Sequence, residues 1–131
     1  MRIAVDTNAL VRAVVADDPA QARSAAKVLA DAQSMALALA CLCESVRVLR
    51  MVYRLQPSDA AAAIRALRAC ANVQVNRPAV QAGLSVLEAV GDFADGVIAH
   101  GGHWLGAEGF VSFDKRAVAL LTAQGRSARL W

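Results

Sequence analysis

Short apolar runs alternate with longer segments of helical periodicity along the whole chain. Runs of this length are typical of buried strands in parallel sheets, in which a crossover helix separates each strand from the next. The order therefore predicts an α/β sandwich with a mostly parallel sheet. The predicted strands span residues 3–5, 35–40, 73–75, 110–112 and 128–130.

Capping residues and helix breakers predict where the helices begin and end. Thr7 and Asn8 are suited to cap a helix that ends near Val15. The sequence Asp17-Asp18-Pro19 ends that helix and starts another, with Asp18 as the cap and Pro19 in the first helical position. The later helices are predicted at 19–32, 41–55, 57–70, 76–90, 91–100 and 115–124, and Gly101-Gly102 is predicted to end the one before the last.

Length and composition set broad limits. With 131 residues we expect one domain, 1–131, with its own core, and the formal net charge of +3 permits a polyanionic partner. The odd cysteine count (Cys41, Cys43, Cys70) and the lack of a signal sequence before the first strand predict a cytoplasmic protein. The longest apolar stretch, 35–42, is too short to cross a bilayer. Because aromatics make up only 5% of the chain, we expect no surface built for stacking nucleobases.

Four acidic residues fall where predicted strands and helices begin or end. Asp6 and Asp114 follow apolar strands, whose carboxyl ends share the edge at which parallel sheets bind ligands. Glu44 and Asp95 are predicted in the first turns of helices. Clustered carboxylates repel one another, and a hard cation such as Mg²⁺ removes that repulsion and takes oxygen ligands. The four acids therefore predict a metal site that activates water for phosphodiester hydrolysis.

Each acid also has a simpler explanation, and the sequence leaves both open. Asp92 and Asp114 are placed to cap the helices that follow them, and Asp95 is placed to interact with the dipole of its helix. Glu44 would act in the same way near its own helix start. Asp6 is the hardest to explain so, because it ends an apolar strand where a buried carboxylate is costly.

Four stretches resemble the motifs of PIN domains, in the same order along the chain. They are Val5-Asp6-Thr7-Asn8, Glu44 followed by Ser45-Val46, Gly91 to Ala99, and Val111 to Lys115. The Asp17-Asp18-Pro19 turn is also common in the VapC-like toxin branch of that family. The resemblance covers essentially the whole chain. It implies a single PIN-like domain with a three-layer α/β/α sandwich, and an endoribonuclease that cuts RNA with Mg²⁺ or Mn²⁺.

The resemblance also implies roles for individual residues and for partners. Asp6, Glu44 and Asp95 would be the central metal ligands, and Asp114 would complete the site directly or through water. Asn8, Asp92 and Ser112 would be auxiliary. The toxin members pair with a small antitoxin protein and usually form homodimers, so we expect both besides the RNA substrate. Gly96 replaces a more usual alanine-like residue and is expected to loosen its helix.

Basic residues beside the acids are candidate RNA contacts. Arg47, Arg50 and Arg54 recur at i, i+3 and i+7 on the helix predicted to carry Glu44, and Lys115 adjoins Asp114. The guanidinium fork suits phosphate, and such contacts add affinity and salt dependence without reading base sequence. A solvated helix face, or ion pairs to an acidic antitoxin, would explain the same stripe.

Three other functions compete with a nuclease. A phosphatase of the haloacid dehalogenase type needs a second aspartate two positions after Asp6, where this chain has Asn8. A receiver domain needs paired acids near its first strand, where Asp6 stands alone. A catalytically silent PIN-fold protein that acts as a binding module is compatible with the same motifs. Manganese-dependent RNA cleavage that Asp6→Asn abolishes would distinguish the nuclease from the binding module.

Overall fold

Helices and parallel strands alternate along the chain, which confirms the mixed α/β class. The computed structural model describes residues 1–16 and 18–131, so Asp17 of the predicted helix break lies outside the described residues. The strands are β1 (Arg2–Ala4), β2 (Ser34–Ala36), β3 (Val73–Gln74), β4 (Phe110–Ser112) and β5 (Ala128–Leu130). The helices are α1 (Thr7–Val15), α2 (Pro19–Asp31), α3 (Leu39–Met51), α4 (Pro57–Ala69), α5 (Arg77–Glu88), α6 (Phe93–Trp104) and α7 (Lys115–Ala123).

The chain divides into two compact units, Met1–Asn76 and Arg77–Trp131. The first contains helices α1 to α4 and a three-stranded parallel sheet of order β1-β2-β3. The second contains helices α5 to α7 and a parallel pair, β4-β5. The sequence predicted one mostly parallel sheet, and the described residues form two small, entirely parallel ones. A single domain over 1–131 stays a prediction.

Apolar side chains of the sheet and helices are buried in the first unit. Met35 on β2 pairs in register with Ile3 on β1 and Val73 on β3, and Met35 and Val73 are buried. The stripe of Leu42, Val46 and Leu49 on α3 is also buried, as its helical spacing predicts. Tyr53, which continues the same helical spacing in the sequence, lies beyond the end of α3.

Close packing of α5 on α6 organises the second unit. A Cβ on Gly96 would clash with the carbonyl oxygen of Ala82, and a Cβ on Gly83 would lie 2.6 Å from the ring of the buried Phe93. Glycine is required where backbones approach so closely. The expectation that Gly96 loosens its helix is therefore wrong, because this glycine allows the helix that carries Asp95 to pack tightly.

Helix α6 continues past its predicted end. Gly101 and Gly102 lie inside the helix, which ends at Trp104, so the prediction that this pair stops it is wrong. The stop is a Schellman motif at Gly106, whose φ is +99°. There the Ala107 amide donates to the Gly102 carbonyl, and the Gly106 amide donates to the His103 carbonyl, each at 2.9 Å.

Two expectations from composition have structural outcomes. Within residues 1–16 and 18–131, no helix combines the length and the apolar character needed to span a bilayer. Among the same residues the cysteines form no disulfide. Cys41 and Cys43 are half-buried and Cys70 is exposed.

Candidate acidic site

Asp6 belongs to the first unit and caps a helix. Strand β1 ends at Ala4, and the exposed Asp6 is the N-cap of α1, where its Oδ1 accepts a hydrogen bond from the Ala9 amide at 2.9 Å. Thr7 and Asn8, predicted as caps, therefore lie inside the first turn of α1. The prediction that Asp6 ends a buried strand is also wrong, because β1 ends two residues earlier, at Ala4, and Asp6 is exposed.

Glu44 also belongs to the first unit. Helix α3 begins at Leu39 rather than at Cys41. Glu44 therefore lies in the second turn of the helix, and the prediction that it lies in the first turn is wrong. The Glu44 side chain is exposed. Because β1 and β2 are parallel, α1 and α3 start from the same edge of the sheet, and the two helices pack together. Asp6 and Glu44 are thus carried by neighbouring helices.

An open cleft of ≈ 620 Å³ lies beside Asp6, between β1, α1 and α2. Asp6, Asn8 and Arg12 contribute polar groups to its lining, and Val28 of α2 contributes an exposed apolar one. Asn8, predicted to orient Asp6 or a metal-bound water, is exposed in this cleft. The structure therefore puts Asn8 at the surface next to the acid that it was predicted to assist.

Three acids of the second unit lie close together at the starts of two helices. Asp92 is the N-cap of α6 and accepts from the Ala94 amide at 3.0 Å. Asp114 is the N-cap of α7 and accepts from the Arg116 and Ala117 amides at 2.9 and 3.2 Å. Asp95 lies in the first turn of α6, as predicted. The simpler interpretation, in which Asp92 and Asp114 cap helices, is confirmed by these bonds.

Asp95 lies in an environment that is unfavourable for a negative charge. Burial raises the pKa of this half-buried carboxyl, and the negative charges of Asp92 and Asp114 raise it further. The ionised form of Asp95 is therefore disfavoured in the folded protein. A cation bound near Asp95 would oppose this effect, because its positive charge would favour the ionised carboxylate.

Ser112 supports Asp114 directly. It is the last residue of β4, and its Oγ accepts a hydrogen bond from the Asp114 amide at 3.0 Å. This bond fixes the turn between β4 and α7, so that the Asp114 side chain is aimed at the first amides of the helix. This contact is structural, and the auxiliary role of Ser112 at a metal site stays a prediction.

The donor chemistry of the acids suits a hard divalent ion, but the acids are not preassembled around one. Within residues 1–16 and 18–131, no three His, Cys, Asp or Glu side chains have the arrangement of a metal-binding group. Asp6, Asp92 and Asp114 each use Oδ1 in a helix cap. An ionised carboxylate has about four lone-pair sites, so capping leaves acceptor capacity for a metal or its waters. Such all-oxygen ligands fit Mg²⁺ or Mn²⁺.

The predicted arginine stripe is only partly present. Helix α3 ends at Met51, and Arg54 lies beyond it with a φ of +57°, so the stripe does not extend to Arg54. Arg50 donates from Nη1 to the Leu55 carbonyl at 2.7 Å, which fixes the turn after the helix. Arg47 is exposed one turn from Glu44, and Lys115 is exposed beside Asp114. These last two remain suitable for phosphate.

The sequence did not predict an exposed aromatic pair beside Asp114. The rings of Phe113 and Trp131 are stacked, with centroids 5.9 Å apart and planes 10° apart. Ser112 and Leu130 are partners at the ends of β4 and β5, and the two aromatics directly follow these two strands. The register of β4 and β5 would have identified this pair. The low aromatic content of the chain instead predicted no such surface.

No protein-family model matches the chain, and no curated protein matches it.

Proposed function

We propose that this protein is a metal-dependent endoribonuclease of the PIN type, the toxin of a toxin–antitoxin pair. The observation that carries the proposal is the group of three carboxylates, Asp92, Asp95 and Asp114, at the starts of α6 and α7. Mutual repulsion disfavours such a group in the absence of a cation. A carboxyl whose pKa is raised in this way, as that of Asp95 is, is typical of a functional site.

Asp6, Glu44, Asp95 and Asp114 are the proposed ligands of Mg²⁺ or Mn²⁺. Such an ion, when bound, would activate a water and neutralise charge on the phosphate. The chain's own contribution is to hold the carboxylates: Ser112 fixes the turn before Asp114. Asp92 adds negative charge that favours the cation, and Asn8 assists Asp6.

The substrate is RNA, and exposed cations hold its phosphates. Arg47 lies one helical turn from the proposed ligand Glu44, and Lys115 directly follows the proposed ligand Asp114 in the sequence. Both cations are exposed. The net charge of +3 is compatible with a polyanionic substrate. The proposal includes the PIN-like three-layer α/β/α sandwich over 1–131, a homodimer, a small antitoxin partner and a cytoplasmic location.

The direct test is cleavage of labelled RNA by the purified protein with Mn²⁺, with Mg²⁺ and with EDTA. We expect discrete products only with metal, and Asp95→Asn should slow cleavage at least about 100-fold, because loss of even indirect metal ligands costs 10–100-fold. Asp31→Asn, which changes an exposed acid at the end of α2, is the matched control and should cleave normally. Cleavage that persists in EDTA, or in Asp95→Asn, would overturn the proposal.

A second experiment identifies the target. The wild type and Asp95→Asn are induced in a bacterial host without an antitoxin, and new RNA 5′ ends are mapped. Growth arrest with discrete new ends only in the wild type would support a sequence-selective ribonuclease. Identical behaviour of the two soluble, well-expressed proteins would count against catalysis by the acids.

One observation favours an alternative, a catalytically silent PIN-fold binding module. Asp6, Asp92 and Asp114 all have capping bonds that would justify their presence without any metal. In that case RNA or the antitoxin would bind equally well to the wild type and to Asp95→Asn, and neither would cleave RNA. The cleavage assay therefore separates the two functions.

A further inference from the structure

Phe113 and Trp131 form an unusual surface in the second unit. The two side chains are 79% and 82% exposed, yet their rings stack on each other rather than packing into the core. Large aromatic side chains lose favourable burial when they remain in water, so an exposed stacked pair is a candidate binding surface.

The backbone holds this pair in position. The Trp131 amide donates to the Ser112 carbonyl at 3.0 Å, which extends the β4-β5 pairing by one residue. On the other strand the Ser112 hydroxyl and the Asp114 cap fix the turn that contains Phe113. The rings are therefore arranged before any ligand arrives, which reduces the entropy lost on binding.

The surroundings of the pair are charged in a way that suits a nucleic acid. Phe113 directly precedes Asp114, which interacts electrostatically with Asp95. Lys115 and Arg116 follow in the exposed first turn of α7, and Arg129 is exposed on β5. A strand whose phosphates contact these cations would have its bases within reach of the two rings.

We infer that Phe113 and Trp131 are a stacking platform for an unpaired base of single-stranded RNA, next to the phosphate acted on at Asp95 and Asp114. This inference rests on the proposed function and names its substrate as unpaired RNA. Stacking tolerates any base, because every base has a π-face, whereas a base inside a duplex is already stacked on its neighbours. The platform therefore selects loops and single strands.

Trp104 supplies a matched control. It is 80% exposed at the end of α6, but it does not take part in the stacked pair. The variant Trp104→Phe leaves Trp131 as the sole tryptophan, because the chain has two. Fluorescence of that variant then reports on the platform alone.

The test titrates Trp104→Phe, in EDTA to prevent cleavage, with an oligoadenylate of about eight nucleotides, within the usual range of single-strand sites. We expect the oligoadenylate to quench Trp131 fluorescence, and an abasic oligoribonucleotide of equal length to leave it unchanged. Phe113→Ala should weaken oligoadenylate binding about tenfold, and Trp131→Ala, followed by anisotropy of a labelled oligonucleotide, should do the same. Trp131→Phe should restore most of the affinity.

Several results would overturn the inference. They are equal quenching by the abasic chain, equal loss of binding in Trp104→Ala, or unchanged binding in folded Phe113→Ala and Trp131→Ala. If those variants instead convert a dimer to a monomer in sedimentation while binding stays unchanged, the pair is a protein interface.

Cleavage by the wild type with Mn²⁺ is measured separately. Oligoadenylate binding without cleavage would sink the proposed function alone, and cleavage without quenching would sink the platform alone.

Discussion

The acids of the two units occupy similar places in the sequence but different environments in the structure. Asp6 and Glu44 are exposed, one as a helix cap and the other in the second turn of α3. Asp95 is half-buried and lies within electrostatic range of Asp92 and Asp114. A position at the start or end of a helix or strand therefore does not determine the chemistry of a carboxyl group. Its burial and the charges near it determine that chemistry.

The close helix contact at Gly96 directly follows Asp95 in the sequence. Helix α6 lies so close to α5 that a Cβ at Gly96 has no room, and Asp95 is the preceding residue. Asp95 is half-buried on that helix, and this burial raises its pKa and disfavours its charge. In the first unit, the chain instead leaves β1 before reaching Asp6, and the carboxyl stays in water.

Substitution at Gly96 should disturb the second unit most. Gly96→Ala forces a methyl group against the Ala82 carbonyl, and we expect a loss of about 3 kcal/mol in the free energy of unfolding, at the upper end for overpacking. Because α5 and α6 must separate, the environment of Asp95 should change as well. Urea denaturation measures the first effect, and metal-dependent cleavage measures the second.

Gly101→Ala is the matched control on the same helix. A Cβ there meets nothing within 4 Å, and alanine favours helix over glycine by about 1 kcal/mol, so this variant should be slightly more stable than the wild type. If the two alanine variants had equal stability, close packing at Gly96 would not be what positions Asp95.

The effect of metal binding on stability should show a smaller difference between the acids of the two units. At a Mn²⁺ concentration about 100 times the dissociation constant, a folded-state site adds about 2.7 kcal/mol to the free energy of unfolding. We expect this gain in the wild type and its near loss in Asp95→Asn, as measured by thermal unfolding with and without Mn²⁺. Asp6→Asn tests the other unit.

An equal loss of the Mn²⁺ effect in Asp6→Asn and Asp95→Asn would mean that both units supply ligands. A Mn²⁺ effect that survives in Asp6→Asn would confine the site to the second unit. Stabilisation of Asp95→Asn equal to that of the wild type would contradict metal binding at the acidic group.

Local signals in the sequence predicted much of this fold. Asp18 followed by Pro19 starts α2 as expected, with Asp18 accepting from the Ala20 and Gln21 amides. The stripe of Leu42, Val46 and Leu49 identified the buried face of α3. These succeeded because capping and periodicity depend on residues within a turn or two of one another.

Contacts between distant residues could not be read in this way. The fit of Gly96 against Ala82 depends on how α5 approaches α6, and the pairing of Phe113 with Trp131 depends on strand register. The weak helix propensity of glycine predicts that α6 ends at Gly101-Gly102. The Schellman motif at Gly106 instead sets the end of this helix. Element order predicted that Asp6, Glu44, Asp95 and Asp114 meet at one sheet edge, which stays a prediction, whereas the effect of Asp92 and Asp114 on the pKa of Asp95 required the structure.

Asp114 allows capping and metal binding to be separated. Asparagine caps helices about as well as aspartate, so Asp114→Asn should keep the stability of α7, whereas Asp114→Ala should lose about 1 kcal/mol. Both should lose metal-dependent cleavage if the charge matters. Urea denaturation and cleavage rates on the two variants supply the measurement, and full activity in Asp114→Asn would reduce Asp114 to a cap.

The smallest expected effect is the pH dependence of metal-free stability at Asp95. Its pKa in the folded protein is raised by burial and by the charges of Asp92 and Asp114, so the protonated form is favoured on folding. The stability from that protonated form is fully present below the ordinary pKa of 3.8 and is lost as pH rises through the raised value. Asp95→Asn carries no charge, so in EDTA it should be more stable than the wild type at neutral pH. The difference should close below pH 3.8, whereas Asp31→Asn should show no such gain. Urea denaturation across this range measures it, and a wild type as stable as Asp95→Asn at neutral pH would mean that burial and the charges of Asp92 and Asp114 do not disfavour ionised Asp95 in the folded protein.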